Sequence, residues 1–142
     1  MVLFAMVAFT SCKDDKKDEP KPEPTKAELL VGKWQVESFT VTLANGASQR
    51  VTLPANRPWF WTFSTNGTVI DDGWDIVSVN PEEWTKELEN GTYTLSSNGE
   101  YLTLGDDDGE SGTAIIKELT ATRLVLEVEV DGGKNEMTFK KV

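Results

Sequence analysis

The residues best suited to recognise another molecule are aromatic. Trp59-Phe60-Trp61-Thr62-Phe63 places Trp59, Trp61 and Phe63 on one face of an extended segment, with Phe60 on the other. Three rings in a row on a buried face could line a site for an apolar or aromatic ligand. The simpler reading is that they fill a core, since narrow barrels can be packed shut by their own side chains. Two of the five tryptophans, Trp74 and Trp84, lie instead in polar stretches, Asp71-Asp72-Gly73-Trp74-Asp75 and Glu82-Glu83-Trp84. Such rings suit the mouth of a site or the anchoring of a loop. Trp59, Trp61, Phe63, Trp74 and Tyr93 form the candidate ligand-binding set.

Other chemistries find little support. The chain has no histidine, which removes His-based triads, His metal sites and histidine pH switches. Its single cysteine, Cys12, can form neither an internal disulfide nor a zinc or iron–sulfur centre. Asp106-Asp107-Asp108-Gly109-Glu110 offers oxygen ligands, but EF-hand spacing would put Leu104 and Ile115 at the first and last ligand positions. A solvated acidic loop is the simpler reading. Carboxylates are plentiful, yet no spacing selects an acid/base pair, and no G-x-S-x-G, S-x-x-K or phosphate-loop motif occurs. Asn66-Gly67-Thr68 and Asn90-Gly91-Thr92 match the glycosylation sequon but read better as a turn and a helix stop. No cofactor, metal or enzymatic activity is expected. With 14 basic and 24 acidic residues, net −10, the chain is also unsuited to nucleic acid or to broad attraction to anionic lipid.

The elements that would position the aromatic residues are strands. Thr65-Asn66-Gly67, Ser97-Asn98-Gly99 and Asp131-Gly132-Gly133 are turn signals that accept positive φ. Around them apolar residues alternate: Tyr93 and Leu95; Leu124, Leu126, Val128 and Val130; Met137 and Phe139. Strands are expected near 33–43, 49–53, 59–64, 67–79, 91–96, 100–105, 112–119, 122–130 and 135–141. Eight or nine antiparallel strands with short links imply a closed or nearly closed up-and-down barrel. The apolar phase shifts between Val36 and Phe39, which predicts a bulge near Ser38. Thr25-Lys26-Ala27-Glu28 is a capping box before Leu29 and Leu30 and predicts a short helix. Asn80-Pro81-Glu82-Glu83, followed by Trp84 and Leu88 at i, i+4, predicts a second.

Residues 1–11 are uncharged and mostly apolar, too short to span a bilayer but suited to the apolar core of a secretory signal. Phe9-Thr10-Ser11-Cys12 resembles the lipobox at which lipoprotein signals are cut, with Cys12 as the acylated residue. Such signals ordinarily open with basic residues, so the precursor is expected to begin a few residues upstream. Residues 13–26 hold ten balanced charges and three prolines and predict a solvated tether. The net −10 therefore falls on residues 27–142. Lys13-Asp14-Asp15 resembles the acidic export signal of some Gram-negative gut bacteria, and reads equally as a spacer with solvating charges. The expected location is the cell envelope, as an outer-membrane lipoprotein.

Leu30-Val31-Gly32-Lys33-Trp34 matches the G-x-W opening of lipocalins. With Ser64–Val69, Gly91-Thr92-Tyr93 and the closing Met137–Lys141, residues 27–142 resemble the lipocalin-like domains of bacterial lipoproteins. The resemblance implies a barrel that can hold an internal site, and it names no ligand; the leading expectation is a monomeric binding module for a small apolar or amphipathic molecule. The resemblance also implies that Trp34 packs at the barrel base beneath a late arginine, for which Arg123 is the candidate. The alternative is a filled barrel that contacts an envelope protein or a glycan through its surface.

Overall fold

The computed structural model describes residues 23–142 except 80, 107 and 131. Cys12 and most of the tether lie outside the described residues. The capping box forms as expected: Glu28 N donates to Thr25 Oγ1 (3.1 Å) and Thr25 N to Glu28 Oε1 (2.8 Å). It opens a short helix, α1 (Lys26–Leu30), whose Leu30 is fully buried.

Nine strands follow: β1 (Gly32–Thr42), β2 (Ser48–Thr52), β3 (Trp59–Phe63), β4 (Thr68–Val79), β5 (Glu82–Leu95), β6 (Tyr101–Gly105), β7 (Ser111–Leu119), β8 (Arg123–Val130) and β9 (Gly133–Lys141). Each of β3 to β8 pairs antiparallel with its successor, and β9 returns to pair with β1. That last pairing closes an eight-stranded barrel. β2 is an additional strand: the second half of β1 pairs with β2 and its first half with β3. The bulge is where the sequence placed it. Thr138 pairs with Ser38 and Phe139 with Val36, leaving Glu37 unpaired in the β1–β9 ladder. This extra residue lets Trp34 and Val36 in one phase, and Phe39 in the other, all join the core.

The turn glycines carry the expected backbone. Gly67 (φ 88°) closes the β3–β4 hairpin, with Ser64 N donating to Thr68 O at 2.9 Å.

The second expected helix is absent. Residues 82–95 form β5, paired with β4 from Val79↔Glu82 to Thr68↔Thr92. A spacing of four residues suits one face of a helix, but it also puts Trp84 and Leu88 on one face of a strand. The long ladder to β4 decides between the two, and the local cap signals are overridden.

The core gathers at the α1 end, where Leu30, Trp34, Phe63, Leu102, Leu124 and Phe139 are each at most 1% exposed. At the other end β5 runs past its neighbour. Only Thr92–Leu95 pairs with β6, so Glu82–Gly91 projects beyond it.

Candidate functional site

Two arrangements concern function: a locked base and an open cavity. At the base, Trp34 is fully buried and its Nε1 donates to Leu30 O at 2.8 Å. Lys141 Nζ lies 4.3 Å from the centre of the Trp34 ring and donates to Leu29 O and Val31 O, both at 2.8 Å. Three carbonyls at the helix end are thereby satisfied by the two side chains. Gly32 must be glycine: its φ is 131°, and a Cβ would stand 2.7 Å from Lys141 Cε. These contacts give the Gly32-Lys33-Trp34 opening its physical meaning.

Arg123 does not occupy this position. It pairs with Glu118 at 3.2 Å on the exposed surface. Lys141 takes the place because barrel closure sets it directly opposite Trp34 in the β9–β1 register. The signal was parity: Lys141 is two residues beyond the buried Phe139.

The aromatic residues divide into three groups. Trp59 and Phe63 are buried. Phe63 meets Tyr93 edge-on with centroids 5.1 Å apart, and Tyr93 Oη donates to Ser64 O at 2.6 Å. These residues are core, with the Tyr93 hydroxyl spent on the β3–β4 turn. Burial raises the Tyr93 pKa. Trp61 packs on Phe139 with ring centroids 5.3 Å apart and also lines a cavity. Its Nε1 is buried and has no hydrogen-bond partner among the described residues. Trp74 falls outside the barrel. It alternates with Asp71 and Gly73, which pair with Trp61 and Trp59, so its ring is on the opposite face. There Arg57 lies 5.6 Å from the Trp74 ring and 5.3 Å from the Trp84 ring.

The cavity, about 330 Å³, lies between β4, β5, β6 and β7 and is lined by Trp61, Val69 and Leu104 on its apolar side. Gly91, Gly105 and Gly112 also border it. Gly91 and Gly105 cross closely, since a Cβ on Gly91 would stand 2.3 Å from Gly105 O. Gly112 differs, with ordinary φ and only open space where a Cβ would project. The core is therefore filled at the base and hollow toward the far end.

Asp71, Glu89, Asp106 and Glu110 also line the cavity. Asp71 Oδ1 accepts Trp59 Nε1 at 2.5 Å. Burial is the main reason its pKa rises to about 7; the Trp59 hydrogen bond opposes the rise, and Asp75, Glu89 and Glu87 add to it. Asp75 is raised mainly by burial. Glu89 is raised first by its hydrogen bond with Glu87. Sequence reading missed Asp71 as an interior group by treating Asp71-Asp72 as one polar stretch. Alternation from Val69 through Gly73 would have turned Asp71 inward.

The acidic loop closes on itself. Asp106 Oδ1 accepts the backbone N–H of Asp108 and of Glu110, both at 3.0 Å. Among the described residues no group of three or more acidic, Cys or His side chains could hold a metal. No described helix is long and apolar enough to cross a membrane.

Residues 30–126 match the model of the lipocalin-like domain family. The chain belongs to that family. Among solved structures, this lipocalin-like chain is similar to a lipocalin-like protein from Bacteroides uniformis, with 22% identity, TM-score 0.47, and 80% of this chain and 99% of that one covered. It is also similar to japanin from Rhipicephalus appendiculatus, in a structure bound to cholesterol, with 9% identity, TM-score 0.49, and 84% and 80% covered. No curated protein sequence matches the chain.

Proposed function

We propose that this lipocalin-like protein is a non-enzymatic binding module that holds a small apolar or amphipathic molecule in the barrel cavity. The observation that carries the reading is the cavity itself: about 330 Å³, with Trp61, Val69 and Leu104 on one side and Gly112 at a position where a side chain would project into open space. That volume is within the range of small-molecule sites. Trp61 is the candidate contact residue, with Trp59 acting through Asp71, while Phe63 and Tyr93 support the wall from the core. Native mass spectrometry of the full chain, incubated with a small-molecule extract of the growth environment, tests this. A retained adduct of defined mass supports the reading, and a clean apo mass counts against it.

We further propose that the barrel is exported and tethered to the outer membrane as a monomer, through an acyl chain on Cys12 and the charged segment that follows. The lipobox-like Phe9-Thr10-Ser11-Cys12 supports this. Acyl labelling that is lost in Cys12→Ser is the expected outcome; equal labelling of the variant would remove the anchor.

A second reading, an envelope interaction protein, is favoured by one feature. The outer face of the β4–β5 ribbon carries Trp74 and Trp84 around Arg57, with Leu88 66% exposed nearby. Flat rings and exposed aliphatic surface suit a protein or glycan partner. Under this reading Trp84→Ala abolishes recovery of the partner from envelope extracts and leaves small-molecule adducts intact.

A further inference from the structure

The cavity is unusual in its charge. Among the described residues its apolar side ends on the carboxylates of Asp71, Glu89, Asp106 and Glu110, and no described Lys or Arg lines it. Asp71 and Glu89 are directly opposite each other in the β4–β5 register. Cross-strand neighbours of like charge repel, the more so where one of them is withdrawn from water. Asp75 and Glu87 on the same ribbon add negative charge. No cationic side chain among the described residues pairs with Asp71. Trp59 holds one of its oxygens, and Oδ2 has no partner among the described residues. A fatty acid or other anionic amphiphile entering this cavity would add further negative charge. A cation would relieve the repulsion.

We infer that the cavity selects organic cations: molecules with an apolar or aromatic body, which rests against Trp61, Val69 and Leu104, and an amine, which is held between Asp71 and Glu89. This deepens the binding-module reading and rests on it. The apolar wall sets the body, and the paired carboxylates set the charge.

Calorimetric titration of the full chain with matched probes tests the inference. Decylamine, decanol and decanoate share one body; tryptamine, 3-methylindole and indole-3-acetate share another. At pH 8 each amine is expected to bind at least tenfold more tightly than its neutral counterpart, with the carboxylates weakest. Asp71→Asn and Glu89→Gln should each reduce the amine preference severalfold. Glu100→Gln removes an exposed carboxylate remote from the cavity and should leave that preference intact, which separates a local site from the general attraction of an acidic protein. Neutral probes that bind as tightly as the amines would overturn the charge inference while the binding cavity stands. An equal loss of preference in Glu100→Gln would overturn it too. If none of the six probes binds at millimolar concentration, both the inference and the binding-module reading fall.

Discussion

Asp71 and Glu89 stand directly opposite each other across the β4–β5 pair, and both line the cavity. An acidic pair at the wall of a barrel opposes folding unless something compensates it. The folded protein holds Asp71 near a pKa of about 7, against 3.8 for a free carboxyl. Its folded state thus binds this proton more tightly than its unfolded state. The contribution of Asp71 is therefore least unfavourable below about pH 4, declines as pH rises, and is fully unfavourable above about pH 7. Three pKa units would correspond to roughly 4 kcal/mol, and residual hydration of the side chain lowers that toward about 2. Asp71→Asn keeps an acceptor for Trp59 Nε1 and removes the ionisation. It is expected to raise stability by on the order of 2 kcal/mol at pH 8 and to change it little at pH 4. Urea denaturation at both pH values measures this; equal effects would show that Asp71 is not withdrawn from water.

The same titration bears on ligand choice. Protonating Asp71 removes one of the charges that would hold an amine, so affinity for tryptamine should fall several-fold from pH 8 to pH 6. Asp75, Glu87, Glu89, Asp106 and Glu110 surround the site, and those with raised pKa values act in the same direction. Titrations at several pH values measure the slope, which Asp71→Asn should flatten.

Lys141 couples the last strand to α1. Lys141→Met leaves Leu29 O and Val31 O without their donor and removes the cation from the Trp34 ring. A loss of about 2–3 kcal/mol is expected. Arg123→Ala, which removes only an exposed ion pair, should cost no more than about 0.5 kcal/mol. Thermal unfolding of the two variants distinguishes the structural roles.

Much of the fold was legible because local chemistry and tertiary demand agree. Thr25 and Glu28 cap a helix in isolation as in the protein, Asn66-Gly67 turns a hairpin by its own backbone preference, and the phase change between Val36 and Phe39 records the bulge at Glu37. Where the two conflict, the sequence misleads. Asn80 to Glu83 has the chemistry of a helix start, but the ladder that β5 forms along β4 outweighs it. Parity with Phe139 turns Lys141 inward, but its pairing with Trp34 depends on closure of the barrel between residues more than a hundred positions apart, which local spacing does not encode. The candidate site was half visible. Trp61 stood out by type, while Gly112 and Asp71 gain their roles only once neighbouring strands set which positions face the cavity.

Gly91 and Gly105 define the narrow crossing of β5 and β6. Gly91→Ala would place a methyl group 2.3 Å from Gly105 O, so the strands must separate. A loss of about 2–3 kcal/mol is expected in chemical denaturation. Gly112→Ala, directed into open space, should stay within about 0.5 kcal/mol of the parent.

Gly112 also gives the most direct test of the binding cavity. Gly112→Leu fills the space from a position with ordinary backbone and no neighbour within 4 Å of an added Cβ. Binding of the tightest probe or extracted ligand should be measured by calorimetry on the parent and on Gly112→Leu, with folding confirmed by an unchanged melting transition. Affinity reduced at least tenfold in the folded variant is the expected result. Undiminished affinity would contradict a ligand held in this cavity.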